Sequence, residues 1–302
     1  MDKQEKEKRK IVTIQENLKN AIQTLKEKQL EEPMLKARLL LCYILKVEKE
    51  YLVIYSQKEM RRQEEEEYQK ALQKLIEGYP LQYITHHQEF MKLNFYVDEN
   101  VLIPRADTEV TVEEVITYCK DQEKRNLRVL DLCTGSGAIA ISVKKYVPNC
   151  EVVAVDISKN AIEVAKRNAK QNEVDIIWVL SNLFEEVKGH FDVIISNPPY
   201  IKKEVVKTLD KQVQCEPILA LDGGEDGLLF YKKIIEQAPD YLEKNGALFL
   251  EIGYDQKQEV LQIIEKTKQY KKAECKKDLA GNDRMIMAKK ERGEECVFFK
   301  RY

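Results

Sequence analysis

Arg128-Val129-Leu130-Asp131-Leu132-Cys133-Thr134-Gly135-Ser136-Gly137 reads as a short apolar strand running into a glycine turn. Glycines at 135 and 137 let the backbone turn tightly. They bring a ligand close to the unpaired N–H groups that open the following helix. A second strand, Glu151-Val152-Val153-Ala154-Val155, leads to Asp156, 19 residues beyond Gly137. A carboxylate there can accept hydrogen bonds from both hydroxyls of a ribose. Taken singly, the glycines are a tight strand–helix turn and Asp156 a helix cap. At this spacing the pair favours a nucleotide-like cofactor.

The alternation continues on both sides of that loop. A helix follows Gly137 through Lys145, and another runs from Ser158 to about Asn172. Ile176-Ile177-Trp178-Val179-Leu180, Phe191-Asp192-Val193-Ile194-Ile195 and Ala247-Leu248-Phe249-Leu250-Glu251 are further apolar strands, the last followed by a helix from about Gln256 to Lys268. Residues 273–278 and 284–288 read as a closing hairpin. Continuous β-branched runs separated by helices predict an α/β fold, with a mostly parallel sheet covered on both faces.

Upstream the pattern is helical. Ile11, Ile14, Leu18, Ile22 and Leu25 recur at three- and four-residue steps. A second helix is expected to begin at Glu32-Pro33, with Pro33 in the first turn, and to bury Ala37, Leu40, Leu41 and Ile44. A third, through Tyr68, Leu72, Leu75 and Ile76, stops at Gly78-Tyr79-Pro80. The reading gives a helical bundle over residues 1–80, a linker with a short β-hairpin over 81–106, a catalytic domain over 107–290 and a tail over 291–302.

Composition narrows the classes. The chain has 302 residues, 50 Lys+Arg against 52 Asp+Glu, and a formal charge of −2, which is not the balance of a basic nucleic-acid binder. Its charged first residues predict no secretory signal. The longest apolar run, 39–45, is far shorter than the ~20 residues that span a bilayer. Seven scattered cysteines, with no C-x-x-C pair, fit reduced cytoplasmic thiols better than disulfides or a metal site. His86, His87 and His190 show no metal spacing either.

NAD and S-adenosylmethionine both fit a glycine loop with a ribose-binding acid. Asp131, at the strand end, discriminates: a carboxylate there repels a pyrophosphate and attracts a methionine ammonium, directly or through water. The sulfonium cofactor is favoured.

Asn197-Pro198-Pro199-Tyr200 follows the fourth strand at its C-terminal end, the edge where open α/β sheets hold ligands. Two prolines remove two N–H groups and fix φ near −65°. The Asn197 side-chain oxygen and the Pro198 carbonyl can then converge on one NH2 group, with the flat face of Tyr200 beside it. The lone pair of a planar amide or aromatic amine is delocalised. Two acceptors that favour a tetrahedral nitrogen recover it and aim it at a methyl group. The bland alternative is a proline-rich turn, but this tetrapeptide directly after a strand is uncommon as mere connection.

These residues resemble the protein-(glutamine-N5) methyltransferases of class I peptide chain release factors, the PrmC or HemK family. The likeness runs over about residues 80–288. It includes Pro80-Leu81-Gln82-Tyr83, Val101-Leu102-Ile103-Pro104-Arg105 with Asp107-Thr108-Glu109, Glu216-Pro217, Ala220-Leu221-Asp222-Gly223-Gly224-Glu225-Asp226-Gly227 and Asp278-Leu279-Ala280-Gly281-Asn282-Asp283-Arg284. The resemblance implies a Rossmann-like, seven-stranded, S-adenosylmethionine-dependent methyltransferase domain preceded by a small helical bundle that docks the substrate protein. It implies cofactor contacts from Thr134, Gly135, Gly137, Asp156 and Asn197, with Asn182 and Leu183 near the adenine. Asn197, Pro198, Pro199 and Tyr200 would hold the glutamine of the release factor's Gly-Gly-Gln motif, with Asn197, Pro198 and Tyr200 as the catalytic set. Four positions depart from the family pattern. Cys133 replaces a frequent glycine, where an ordinary φ is expected to fit. Asn182 replaces a usual aspartate, His86 a glycine and Ala106 a proline.

Arg105 is placed in the substrate-binding set, with bracing of the turn before the next helix as its alternative. Asp107 and Thr108 are equally readable as helix caps, Trp178 as core and Gly223-Gly224 as a turn. The partner expected is a class I release factor, with no membrane and no stable nucleic-acid binding. Two other classes share features of this chain. An N6-adenine or N2-guanine nucleic-acid methyltransferase uses the same tetrapeptide but must capture a base. A non-catalytic cofactor-binding module would have no need of Asn197 and Pro198.

Overall fold

The structure, a computed structural model, describes residues 12–123 and 126–291 and divides after Thr85 into two compact units. The first is helical: α1 (Ile14–Glu27), α2 (Pro33–Leu45), α3 (Lys49–Ile54), α4 (Arg62–Ile76) and α5 (Leu81–Thr85). Thr13 caps α1 by accepting from the Glu16 amide while Glu16 accepts from the Thr13 amide, a reciprocal box. Pro33 opens α2 in the expected first turn. Leu25, Ala37, Leu40, Leu41, Leu72 and Leu75 form the core, with Leu18, Ile22 and Ile44 at its margin. Ile11 lies outside the described residues.

The second unit starts with the hairpin β1 (Gln88–Phe90) and β2 (Leu93–Phe95), followed by α6 (Ala106–Lys120). Phe90 and Phe95 meet edge to face at 6.1 Å between ring centroids and sink into the same core as Val112, Val115 and Cys119 of α6. This stretch is therefore packed against the sheet domain.

Then come β3 (Arg128–Leu132), α7 (Ala138–Tyr146), β4 (Glu151–Asp156), α8 (Lys159–Gln171), β5 (Ile177–Leu180) and β6 (Phe191–Ser196). Three short helices follow, α9 (Lys203–Val206), α10 (Lys211–Gln214) and α11 (Ile218–Leu221). The chain closes with α12 (Leu229–Tyr241), β7 (Leu242–Glu251), α13 (Lys257–Thr267), β8 (Tyr270–Lys277) and β9 (Asp283–Lys290).

Seven strands form one sheet in the order β5-β4-β3-β6-β7-β9-β8. The first five are parallel, and β9 runs antiparallel to both β7 and β8. Side-chain alternation explains the two layers. Val152 and Ala154 of β4 pack with α6 and α7, whereas Val153 and Val155 pack with α12 and α13. Each of the three valines, fully buried, contributes about 1.5–3 kcal/mol. The fold is the doubly covered, mostly parallel sheet that the apolar runs predict. From β3 the chain winds outward to β5, then returns to place β6 on the other side of β3. That reversal opens a crevice beyond the C-terminal ends of β3 and β6, the place where such sheets bind ligands.

Candidate active site

Four strand ends line the crevice, with Cys133 after β3, Asp156 at β4, Ser181 to Leu183 after β5 and Asn197 after β6, while Asp131 on β3 and Glu251 at the end of β7 are buried behind it. A cavity of about 230 Å³ lies there, lined by Gly135, Asp156, Asn182, Leu183, Asn197 and Pro199, among others. A smaller one of about 50 Å³ is lined by Phe90, Arg105, Thr108, Thr134, Gly135 and Asn197. Asn197 and Gly135 border both cavities, so the two adjoin at the proline corner.

Asp156 accepts from the Gly135 amide through Oδ2 and from the Ser158 amide through Oδ1, both at 2.8 Å. Each oxygen keeps a second lone pair, so the carboxylate is held rigidly and still has acceptors for two hydroxyls. Asn182 donates through Nδ2 to Glu185 Oε1 at 2.6 Å, which turns its own oxygen into a fixed acceptor. Ile157, Leu183, Leu219 and Phe230 add apolar surface to the same cavity. Two hydroxyl acceptors beside an apolar slot with one amide acceptor fit the adenosine half of S-adenosylmethionine.

Gly137 serves packing more than contact and lines neither cavity. Its φ is +79°, and a Cβ there would stand 3.0 Å from Ile141 Cδ1 and 3.1 Å from the Ala165 Cβ. Cys133 has φ +60°, in the left-handed region. The ordinary φ expected there is therefore wrong; the strand end turns so sharply that this cysteine takes the backbone shape a glycine adopts freely. His86, the other position where the family pattern has glycine, is also left-handed, at φ +52°.

Asp131 is fully buried. Its Oδ2 accepts from the Thr134 hydroxyl at 2.6 Å and the Ala140 amide at 3.2 Å, while Oδ1 has no hydrogen bond. Burial pushes its carboxyl up to about 7. It borders neither cavity, so any influence on a ligand's ammonium passes through Thr134, which lines the smaller one.

The proline corner is braced from behind. Ser196 donates through Oγ to the Leu132 carbonyl at 2.8 Å, tying β6 to β3. Gln256 Nε2 donates to the Tyr200 carbonyl at 2.9 Å, and Ile201 and Leu221 are joined at 2.9 Å. Gly223 lies against the Tyr200 backbone; a Cβ on it would stand 2.7 Å from the Tyr200 Cα, so only glycine fits. Pro198 is buried, and neither it nor Tyr200 borders either cavity. The Tyr200 hydroxyl is pushed up to about 12, first by burial and then by Glu251.

Asn197 Nδ2 donates to Thr108 Oγ1 at 3.4 Å, and the Glu251 carboxylate, next to it across β6 and β7, has its ionised form favoured by the Asn197 side chain. Its Oδ1 is thereby left for the crevice. Arg105 is paired with Glu216, whose other oxygen accepts from the Ile103 amide at 3.0 Å. It lines the smaller cavity with its charge already engaged. Among the described residues, no group of three or more His, Cys, Asp or Glu could hold a metal ion, and no helix is long and apolar enough to cross a membrane.

Two charged groups at this edge escape a reading by motif. Glu216 was visible only as part of a family-like stretch. Glu251 is 2% exposed and closes β7 directly after the apolar run Ala247-Leu248-Phe249-Leu250. An acid closing a strand, as Asp156 does, was the signal that would have drawn attention to it.

Comparison with known proteins adds an independent line. Residues 16–85 match the family model of the PrmC N-terminal domain, and residues 115–214 match that of the methyltransferase small domain. The release factor glutamine methyltransferase of Clostridium acetobutylicum is 38% identical over 281 residues, 91% of this chain and 98% of that protein. Its counterpart in Flavobacterium psychrophilum is 44% identical over 225 residues, 73% of this chain and 79% of that one. That of Streptococcus pneumoniae is 40% identical over 233 residues, covering 76% and 82%.

Proposed function

Because the chain belongs to the release factor glutamine methyltransferase family, we propose that it methylates the side-chain nitrogen (N5) of the glutamine in the Gly-Gly-Gln motif of class I peptide chain release factors. It is an S-adenosylmethionine-dependent methyltransferase. The observation that carries the finer reading is the orientation of Asn197, whose nitrogen is held by the protein and whose oxygen is left for an NH2 donor.

Bound S-adenosylmethionine supplies a methyl group on a sulfonium, with a neutral thioether as leaving group. Asp156 would hold its ribose, with Asn182 and Leu183 at the adenine and Thr134 and Gly135 toward the methionine end. Asn197 Oδ1 and the Pro198 carbonyl would accept the two N–H bonds of the glutamine amide. That geometry withdraws the nitrogen lone pair from amide resonance and points it along the line of transfer. As the N–C bond forms and the C–S bond breaks, the nitrogen becomes cationic and sheds a proton to water. No resident base is required. An uncharged amide suits a corner that presents acceptors and no formal charge, with Pro199 at its wall and Tyr200 behind it as support. The helical unit, residues 16–85, would bind the release factor away from the reacting residue, and the work would be done in the cytoplasm without stable nucleic-acid binding.

The test is transfer of labelled methyl groups from S-adenosylmethionine to a purified class I release factor. Label is expected in the factor, and none when its Gly-Gly-Gln glutamine is replaced. Label in RNA or DNA instead, or in the glutamine-substituted factor, would overturn the assignment.

A further inference from the structure

Glu251 stands at the C-terminal end of β7, 2% exposed, beside the proline corner that ends β6. The proposed chemistry gives it no part. Its Oε2 has no hydrogen bond, which is a costly state for a buried carboxylate. The groups turned toward it are the Thr108 hydroxyl and the Asn197 carboxamide. Asn197 Nδ2 donates to Thr108 Oγ1 at 3.4 Å, and the pairing of Ser196 with Leu250 sets Asn197 beside Glu251, so the three residues cluster: Thr108 at the start of α6, Glu251 on β7 and Asn197 after β6.

A carboxamide has two ends of nearly equal size, one a donor and one an acceptor. Only the acceptor end serves a substrate NH2. If Asn197 turned over, its own NH2 would meet the incoming NH2, donor against donor. Something must fix the choice, and a carboxylate behind the side chain does so because it can only accept.

We propose that Glu251 is a positioning residue for methyl transfer: together with Thr108 it holds the Asn197 nitrogen and so keeps the Asn197 oxygen facing the substrate amide. This rests on the substrate reading above for its consequence in turnover, though not for the side-chain orientation itself.

The surroundings make the device sensitive to pH. Burial pushes the Glu251 carboxyl up to about 7. Thr108, Arg284 and Asn197 favour the ionised form, and Asp107 opposes it. Arg284, 8% exposed, is itself held by Asp278 at 3.0 Å and Asp107 at 3.3 Å. The phenols of Tyr200 and Tyr231 also face the carboxylate; both are raised by burial and stay neutral in this range. Above the midpoint Glu251 is a charged acceptor for the Asn197 nitrogen, the stronger kind of bond. Below it the neutral carboxyl can donate to the Asn197 oxygen and draw that acceptor away from the crevice. Turnover is therefore expected to rise as pH passes upward through about 7.

Three variants of the full chain test this. Glu251→Gln can still present an oxygen to Asn197, so it should keep most of the turnover and lose the pH step. Glu251→Leu and Thr108→Val should lower kcat, by on the order of 10- to 100-fold for Leu, with S-adenosylmethionine affinity little changed. Independently of any substrate, the side-chain NH2 signal of Asn197 is followed by NMR, identified by its loss in Asn197→Ala. In the wild type it should shift with pH around neutrality and exchange slowly with solvent. The shift should vanish in Glu251→Gln, and exchange should quicken in Glu251→Leu or, should that variant not fold, in Thr108→Val. A signal indifferent to pH and to all three substitutions would overturn the positioning role. A signal that behaves as described in a protein that labels no release factor would uphold it while removing the substrate assignment.

Discussion

A single side chain, Asn197, carries the specificity of the proposed chemistry. Its nitrogen is turned to Thr108 and Glu251, and its oxygen is left over. Asn197→Ala is expected to abolish turnover while reducing S-adenosylmethionine affinity only moderately, because Asp156 and the apolar slot are untouched. Single-turnover transfer and equilibrium cofactor binding check the two halves of that statement. Full activity in the variant would contradict the mechanism. The residue types that announce themselves in a sequence are those whose chemistry depends on local spacing, such as Gly135, Asp156 and Asn197 to Tyr200. Glu251 and Glu216 act across the fold, toward partners 54 and 111 positions away, and no spacing rule reaches that far. The left-handed backbone at Cys133 was signalled only by the family resemblance, which has a frequent glycine there; the cysteine itself carries no sign that its position is one where glycine is more at ease.

Elements show the same division. The strands of the sheet, the helices after the glycine loop and after Asp156, and the closing hairpin follow from apolar runs and periodicity. The short helices α3, α9, α10 and α11 have six residues or fewer, too few turns for a periodic stripe. Helix α12 is masked by Pro239 near its C-terminal end. Proline has no N–H for the carbonyl four residues earlier, which here belongs to Ile235. The Tyr270 hydroxyl donates to that carbonyl at 2.8 Å, from the first residue of β8. A distant side chain thus completes the helix, so the local sequence understates it. Tyr270→Phe leaves the Ile235 carbonyl buried without its donor and is expected to destabilise the fold by about 1–3 kcal/mol. Urea unfolding measures this; unchanged stability would show that the hydroxyl is dispensable to α12.

At the scale of the whole molecule, the proposed function divides the work between a helical unit and a sheet unit. The sheet unit gathers the ends of β3, β4, β6 and β7 with the loop after β5, and builds a rigid acceptor corner next to Asp156, the acid proposed to hold a ribose. That corner has few ways of choosing one glutamine among many, since it addresses only an amide. Choice of the protein substrate falls to surfaces beyond it, which is the role proposed for the helical unit. The motifs of the sheet unit were legible because the reaction confines them to a few positions. The docking surface proposed for the helical unit was not, since protein recognition places no fixed residue types on a helix.

The most direct measurement is a crystal structure of the protein with S-adenosylhomocysteine and a Gly-Gly-Gln peptide. The glutamine nitrogen is expected at ~3 Å from both Asn197 Oδ1 and the Pro198 carbonyl oxygen, with its remaining face toward the cofactor sulfur. A glutamine bound elsewhere, or an Asn197 turned to offer its nitrogen, would contradict the account.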